Sequence, residues 1–247
     1  MNDATKFDIC CAARILFRAG LSVANAGHLS VTVAANQMLV NRFGPSFATL
    51  MPRDILLCDY EGRILDGDGA VNDTIALHGT IHRYNPQAVA VAHTHPPAVV
   101  TFSAFRQVPE IYDQESCILA GDVAVVEEDY EGLAASEERN RPLAEAIGKS
   151  RAVILPNHGA VTSGPNIQVA TSAMLLLEGM VQRNLSVAIT ARATGLTPKP
   201  IEREAALRAK SEIARIPFLQ PLWQDLLLRL QKTDPELLEL RPKSAAA

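Results

Sequence analysis

The sequence predicts an α/β fold built as a single domain over residues 1–247, and three observations carry that reading. Short runs that alternate apolar and polar residues are interleaved with longer runs of helical period. One run, AVILPN (152–157), is apolar without alternation, as expected of a central strand covered on both faces. No internal repeat and no long linker divides the chain.

Residues 3–19 read as a helix, with Asp3 as its N-cap and Gly20 as its stop. LSVTVA (29–34) and QMLVN (37–41) alternate as two strands joined at Ala35-Asn36. MPRDILLCDYEGRILDGDG gives two further short strands around Tyr60-Glu61-Gly62, a tight hairpin signal. Asn72 or Asp73 caps a helix through TIALHGTIHRYN, which Asn85-Pro86 ends. AVAVAH (88–93) is the next strand, followed by an apolar stretch around VVTFSAF. DVAVVEEDYEG holds another strand, ending at Gly132, and NRPLAEAIGK is a short helix ahead of AVILPN. NIQVATSAMLLLEGMVQRNLSVAI is the longest helix. TGLTPKP then leads into a C-terminal helical extension, residues 195–247, where Trp223 and several leucines are expected to pack and RPKSAAA forms a loose tail.

Charge excludes two classes of partner. Lys and Arg number 23 against 27 Asp and Glu, a net charge of −4, so there is no basic stripe for nucleic acid or an anionic membrane. No run approaches the roughly 18 apolar residues of a membrane span. MNDATKFDICCAARIL lacks a basic start followed by a clean apolar core, so no signal peptide is expected and the cytoplasm is the expected compartment. The four cysteines, Cys10, Cys11, Cys58 and Cys117, form no CxxC pair and read as small buried hydrophobes in a reducing compartment.

The six histidines are distributed unevenly: none follows His158. His93 and His95 lie one residue apart at the end of AVAVAHTHPPAV, so they share one face of a strand, with Thr94 opposite. Two imidazoles about 7 Å apart along a strand can grip one cation. Pro96 and Pro97 lack amide protons and hold the pair at the strand terminus, where clefts form in α/β sheets. In ILPNHGAV, His158 sits between a strand stop and Gly159, a third imidazole from a second strand end. Three histidines with an open position suit a catalytic divalent metal. Zinc is the first candidate, with manganese, cobalt and iron as alternatives, because imidazole accepts all four. His78 and His82, four apart on a helix, share a face. His78 is read as a catalytic or supporting group and His82 as a packed or solvated helix residue. His28, between Gly27 and a strand start, either lines the site or serves the turn.

AGHLSV (26–31), LHGTIHRYNP, AVAVAHTHPPAV, DYEG and NHGAVTSG, in that order from about residue 7 to residue 190, resemble the class II aldolase/adducin family. The resemblance implies a three-layer α/β/α fold with a mixed central β-sheet. It also implies a homotetramer with active sites between subunits, and one divalent metal ion per subunit on His93, His95 and His158. Two departures narrow the chemistry. The sugar-phosphate members contact phosphate through a Ser-Ser pair and an Asn, where this chain has Val71-Asn72 and His28, so a phosphorylated sugar is disfavoured. Aldolases and epimerases of the family place an acid four residues before the match to His78. Here that residue is Thr74, with Asp73 one place earlier, and Asp73 either still reaches the metal or serves only as a cap.

A retro-aldol cleavage needs a base for a hydroxyl proton, whereas decarboxylation expels a group that is already anionic. A displaced acid therefore favours a decarboxylase, with His78 or His28 returning the proton. LVNRFGPS (39–46) and HGTIHR (78–83) resemble segments of aromatic and pyridine-carboxylate decarboxylases of the family. That resemblance makes Arg42 a clamp for the carboxylate of a small-molecule substrate, with Ser46 and Thr74 as further substrate-binding residues. The expected activity is decarboxylation of a small, non-phosphorylated (hetero)aromatic hydroxy acid. The alternatives are retro-aldol cleavage of a hydroxy-oxo acid, non-haem iron oxygenation, and a non-catalytic adducin-like interaction domain.

Overall fold

Side chains alternate across a β-strand, and in the computed structural model of the chain that alternation separates two helical layers. Residues 2–23, 25–127, 132, 135–214 and 219–242 are described. Among them β1 (His28–Ala34), β2 (Gln37–Asn41), β3 (Ile55–Cys58), β4 (Ile64–Asp66), β5 (Ala90–Thr94), β6 (Val123–Val125), β7 (Ala152–Leu155) and β8 (Gly159–Gly164) form one sheet. Its order is β4-β3-β2-β1-β5-β8-β7-β6. β6 and β7 run parallel and the other neighbours antiparallel, so the sheet is mixed.

On one face lie α1 (Asp3–Arg18), α3 (Pro97–Ser103), the long α5 (Ile167–Thr194) and α7 (Leu219–Thr233). There Ala90, Ala92, Ile154 and Ala160 of the sheet join Leu16, Met174 and Leu177 in one apolar core. The intervening residues Val91, Val153 and Val161 point the other way, against Leu77 and Ile81 of α2 (Ala76–Tyr84) and Leu143 and Ile147 of α4 (Glu137–Ile147). The result is the three-layer α/β/α arrangement. Each fully buried Leu or Ile contributes about 2 kcal/mol. His93 has the parity of Val91, so its ring lies on the α2 side.

The C-terminal helices are part of the same packing. Trp223, Leu227 and Leu230, with Leu237 of α8 (Pro235–Leu238), enter the core that α1 and α5 build. Arg14 reaches across to Asp234 at 2.8 Å, both fully buried, and Arg18 bonds the same carboxylate at 2.9 Å. α6 (Arg203–Ile213) packs Ala206 against Cys117 and Ala120.

Several details differ from the sequence expectations. Asn2, not Asp3, occupies the cap position of α1, and Gly20 leaves the helix at φ 76°. α2 starts at Ala76 because Asn72 Oδ1 accepts from the Thr74 amide at 2.9 Å and its hydroxyl at 2.7 Å, closing a turn ahead of the helix. The AVILPN strand is second from the sheet edge; the middle strands are β1 and β5. β8 went unread because its GAVTSG run carries too little polarity contrast. The VVTFSAF stretch is largely α3. Most of the DYEG motif (129–131) and the tail residues 243–247 lie outside the described residues. The cysteines are free and buried, and burial pushes the Cys11 and Cys58 thiols up to about 12. No helix among the described residues is long and apolar enough to cross a membrane.

Candidate metal centre

Two strand tips meet at one end of the sheet. β5 delivers His93 and, one residue beyond its end, His95; the turn between β7 and β8 delivers His158. Asn157 makes that turn in the left-handed region at φ 55°. Gly159 then lets the two segments touch: a Cβ there would stand 2.4 Å from the Thr94 carbonyl oxygen and 2.8 Å from the His95 ring. The ring centroids of His93, His95 and His158 are 4.9 to 5.0 Å apart, and one nitrogen from each lies within 4.8 Å of the others.

α3 fixes the spacing between the tips. Its first amides, Ala98 and Val99, each donate at 3.0 Å to the two carboxylate oxygens of buried Glu178 on α5. At its other end the Ser103 hydroxyl accepts the Asn157 amide at 2.9 Å. The short helix that follows directly after His95 is thus tied to α5 at its start and to the residue before His158 at its end.

All three imidazoles are held neutral. Burial lowers His93 far below its usual value and lowers His95; burial and then the neighbouring His95 push His158 down to about 4. The His93 Nδ1–H donates to the Ala160 carbonyl at 3.0 Å, which leaves its Nε2 as a bare electron pair. His95 Nε2 is buried with no hydrogen-bond partner among the described residues. Converging electron pairs on neutral imidazoles are the donor set of a divalent cation, and zinc, manganese, cobalt or iron all fit it.

The histidine row continues away from the triad. His28 pairs with His93 across β1 and β5, with ring centroids 5.3 Å apart, and His78 of α2 stands edge-on to His28 at 5.4 Å. Burial, then the nearby His95 and His158, push His28 down to about 4; burial takes His78 well below its usual value. Ser30, two residues from His28 on the same face of β1, bridges His78 Nδ1 at 2.5 Å and His82 Nε2 at 2.7 Å.

The remaining expected site residues divide. Thr74 Oγ1 approaches His28 Nε2 at 3.4 Å. Asp73 is exposed and stands outside the group that can share a cation among the described residues. Arg42, next to β2, donates from Nε to Asp54 at 2.8 Å and leaves about a third of its side chain exposed (37%). Ser46 is half-buried, and its carbonyl accepts the Thr49 amide. In the loop after α3, Asp113 binds Ser116 and Arg183.

Ser30, Ser103 and Glu178 were not anticipated. Two signals were present: Ser30 shares strand parity with His28, and Glu178 is a lone acid in the apolar run MLLLEGM. Ser103 offers no such signal.

The family model of the Class II Aldolase and Adducin N-terminal domain matches residues 7–185. Over 246 residues the chain is 30% identical to 4-hydroxy-3-prenylphenylpyruvate oxygenase/4-hydroxy-3-prenylbenzoate synthase of Streptomyces roseochromogenus subsp. oscitans, covering 96% of this chain and 85% of that one. It is 31% identical over 213 residues to the 3,4-dihydroxyphthalate decarboxylase of Terrabacter sp. (strain DBF63), covering 79% and 85%. Among solved structures, L-fuculose 1-phosphate aldolase from Glaciozyma antarctica PI12 aligns with a TM-score of 0.78 at 27% identity, covering 93% of this chain and 90% of that one. The strand-tip histidines, the mixed sheet and a family match over most of the chain lead to one conclusion: this protein belongs to the class II aldolase and adducin N-terminal domain family.

Proposed function

We propose that the chain is a metal-dependent carbon–carbon lyase that decarboxylates a small, non-phosphorylated (hetero)aromatic hydroxy acid. The observation that carries this reading is a cluster of three neutral imidazoles with no carboxylate beside them among the described residues. Its likeness to a protein named as a 3,4-dihydroxyphthalate decarboxylase supports the substrate class. A single divalent ion per subunit, zinc first, on His93, His95 and His158 would supply undiminished positive charge for vicinal substrate oxygens and for the electron pair released as the bond to the carboxylate breaks.

The protein's own groups supply the rest. Arg42, whose guanidinium bonds Asp54 through Nε, keeps part of its side chain open, suited to a substrate carboxylate. His28, neutral and buried beside the triad, and His78, neutral and buried next to His28, are suited to handling the proton in the way a buried neutral imidazole can. Val71, Asn72 and His28 offer no hydroxyl for a phosphate. A homotetramer with interfacial sites belongs to the same proposal.

Enzyme loaded with zinc, manganese or cobalt, given a panel of ortho-hydroxy aromatic acids, is expected to release carbon dioxide. Cleavage of hydroxy-oxo acids to two carbonyl fragments, with no carbon dioxide from the panel, would replace this reading with the aldolase one. A second reading, iron-dependent oxygenation, has support from the 30% identical relative named as an oxygenase. Oxygen consumption by the iron-loaded protein would select it. Purified protein indifferent to metal would favour the non-catalytic module.

A further inference from the structure

The hydrogen bonds behind His78 admit one arrangement of protons. His82 Nδ1 lies 2.8 Å from the Ala88 carbonyl oxygen, which can only accept, so Nδ1 carries the hydrogen. His82 is buried at 4% exposure and neutral, so its Nε2 is an electron pair and must receive the Ser30 hydroxyl proton across 2.7 Å. A serine hydroxyl has one hydrogen. With that hydrogen committed, Ser30 Oγ can only accept across the 2.5 Å contact to His78, and His78 Nδ1 must be the donor. Fully buried and neutral, His78 then has no proton on Nε2, and that nitrogen has no partner among the described residues.

We propose that the Ala88 carbonyl, His82 and Ser30 hold His78 as its Nδ1–H tautomer, so that its Nε2 serves the site as a proton acceptor, Ser30 and His82 being positioning residues. The chain of bonds ends on a backbone carbonyl, not on water, so it cannot reverse its polarity by losing a proton to solvent. Tyr60, stacked on His82 at 5.7 Å, helps hold that ring in its orientation.

The proton-handling role rests on the decarboxylase reading; the tautomer does not. On that reading His78 begins by taking a proton, where the sequence suggested that it gives one. The substrate O–H bond breaks, its electron pair stays on oxygen, and the proton forms an N–H bond at His78 Nε2. The same proton then bonds to the ring carbon through the electron pair of the breaking carbon–carboxylate bond. A hydroxy-carboxylate anion becomes a phenolate and carbon dioxide, and the imidazole is returned neutral.

The test is long-range proton–nitrogen NMR on zinc-loaded protein labelled with 15N-histidine, near neutral pH. The His78 signals are assigned by their loss in His78→Gln. His78 is expected to show a protonated Nδ1 and an unprotonated Nε2. A protonated Nε2 in the wild type overturns the proposal whatever the activity. Ser30→Ala should mix the two tautomers and lower kcat about 10- to 100-fold with KM little changed, as loss of an orienting partner does. Unmixed tautomers in Ser30→Ala would overturn the role of Ser30. If the tautomer is as stated but no aromatic acid is decarboxylated, the functional reading falls and the hydrogen-bond lock stands.

Discussion

Gly159→Ala tests whether contact between the two strand tips builds the cation site. The added methyl would sit 2.4 Å from the Thr94 carbonyl oxygen, 2.8 Å from the His95 ring and 3.2 Å from the His95 Cα, where ordinary contact begins at 3.4 Å. Backbone must therefore retreat by about 1 Å, since 3.4 less 2.4 Å is the shortfall at Thr94. Metal–ligand distances tolerate only about ±0.2 Å. His95 and His158 would no longer suit one ion, and affinity should fall on the order of 10- to 100-fold. The crowding itself should cost about 1–3 kcal/mol, with Tm falling about 2–4 °C for each kcal/mol in a chain of this size. Gly179→Ala is the control: its methyl meets only Arg183 Nη1, at 3.9 Å, and the helix should tighten slightly. Metal content by elemental analysis, affinity by competition with a chelating dye, and thermal melts read the outcome. A Gly159→Ala protein that binds one ion with wild-type affinity would refute the reasoning.

Other substitutions probe the supports. Glu178→Ala removes both acceptors from the start of α3 and should cost roughly 3 kcal/mol while weakening metal binding; Glu178→Gln, keeping one acceptor, should fall between, and wild-type affinity in both would discount the strut. Asp234→Ala takes from buried Arg14 its closest carboxylate, leaving Glu236 at 3.4 Å and the Leu50 carbonyl, and should destabilise by about 3 kcal/mol in urea titrations, with a cost under about 1 kcal/mol counting against it. Burial pushes His82 down from 6.5 to about 4, so between those values the unfolded chain holds a proton that the folded one refuses. Its contribution is full above about pH 6.5 and is lost as pH falls towards 4, roughly 3 kcal/mol in all; His82→Gln should remove that share of the fall in urea midpoint across the window, the other buried histidines keeping theirs. Stripping the ion with a chelator should lower Tm and leave the far-ultraviolet dichroism unchanged, since the strands pair without it.

The sequence was most legible where one residue type alone dictates geometry. His93 and His95 at spacing two, stopped by Pro96, announce a strand tip, and Asn157-His158-Gly159 announces a second. The helix beginning at Ala76 was misjudged by a few residues because Asn72 and Asp73 can both cap; in the fold Asn72 closes the turn ahead of the helix and Ile75 takes the cap position without a side-chain bond. β8 escaped because Gly159, Ala160 and Gly164 are too small to show a period, their smallness being what lets α5 and the His95 segment approach. The contacts of Ser103 and Glu178 were invisible for another reason, although the lone acid in MLLLEGM marked Glu178 itself. Their partners lie 54 and 79 or 80 positions away, beyond any local pattern.

α3 is pinned at both ends, by a carboxylate at its start and a hydroxyl contact at its finish. The cradle for the ion is therefore set before any ion arrives. Loading should then proceed with little change in heat capacity, at a pace governed by how readily the incoming cation sheds water, and selection among cations should fall to radius and to the angles each will accept, because the pinned helix leaves the polypeptide little freedom to adjust.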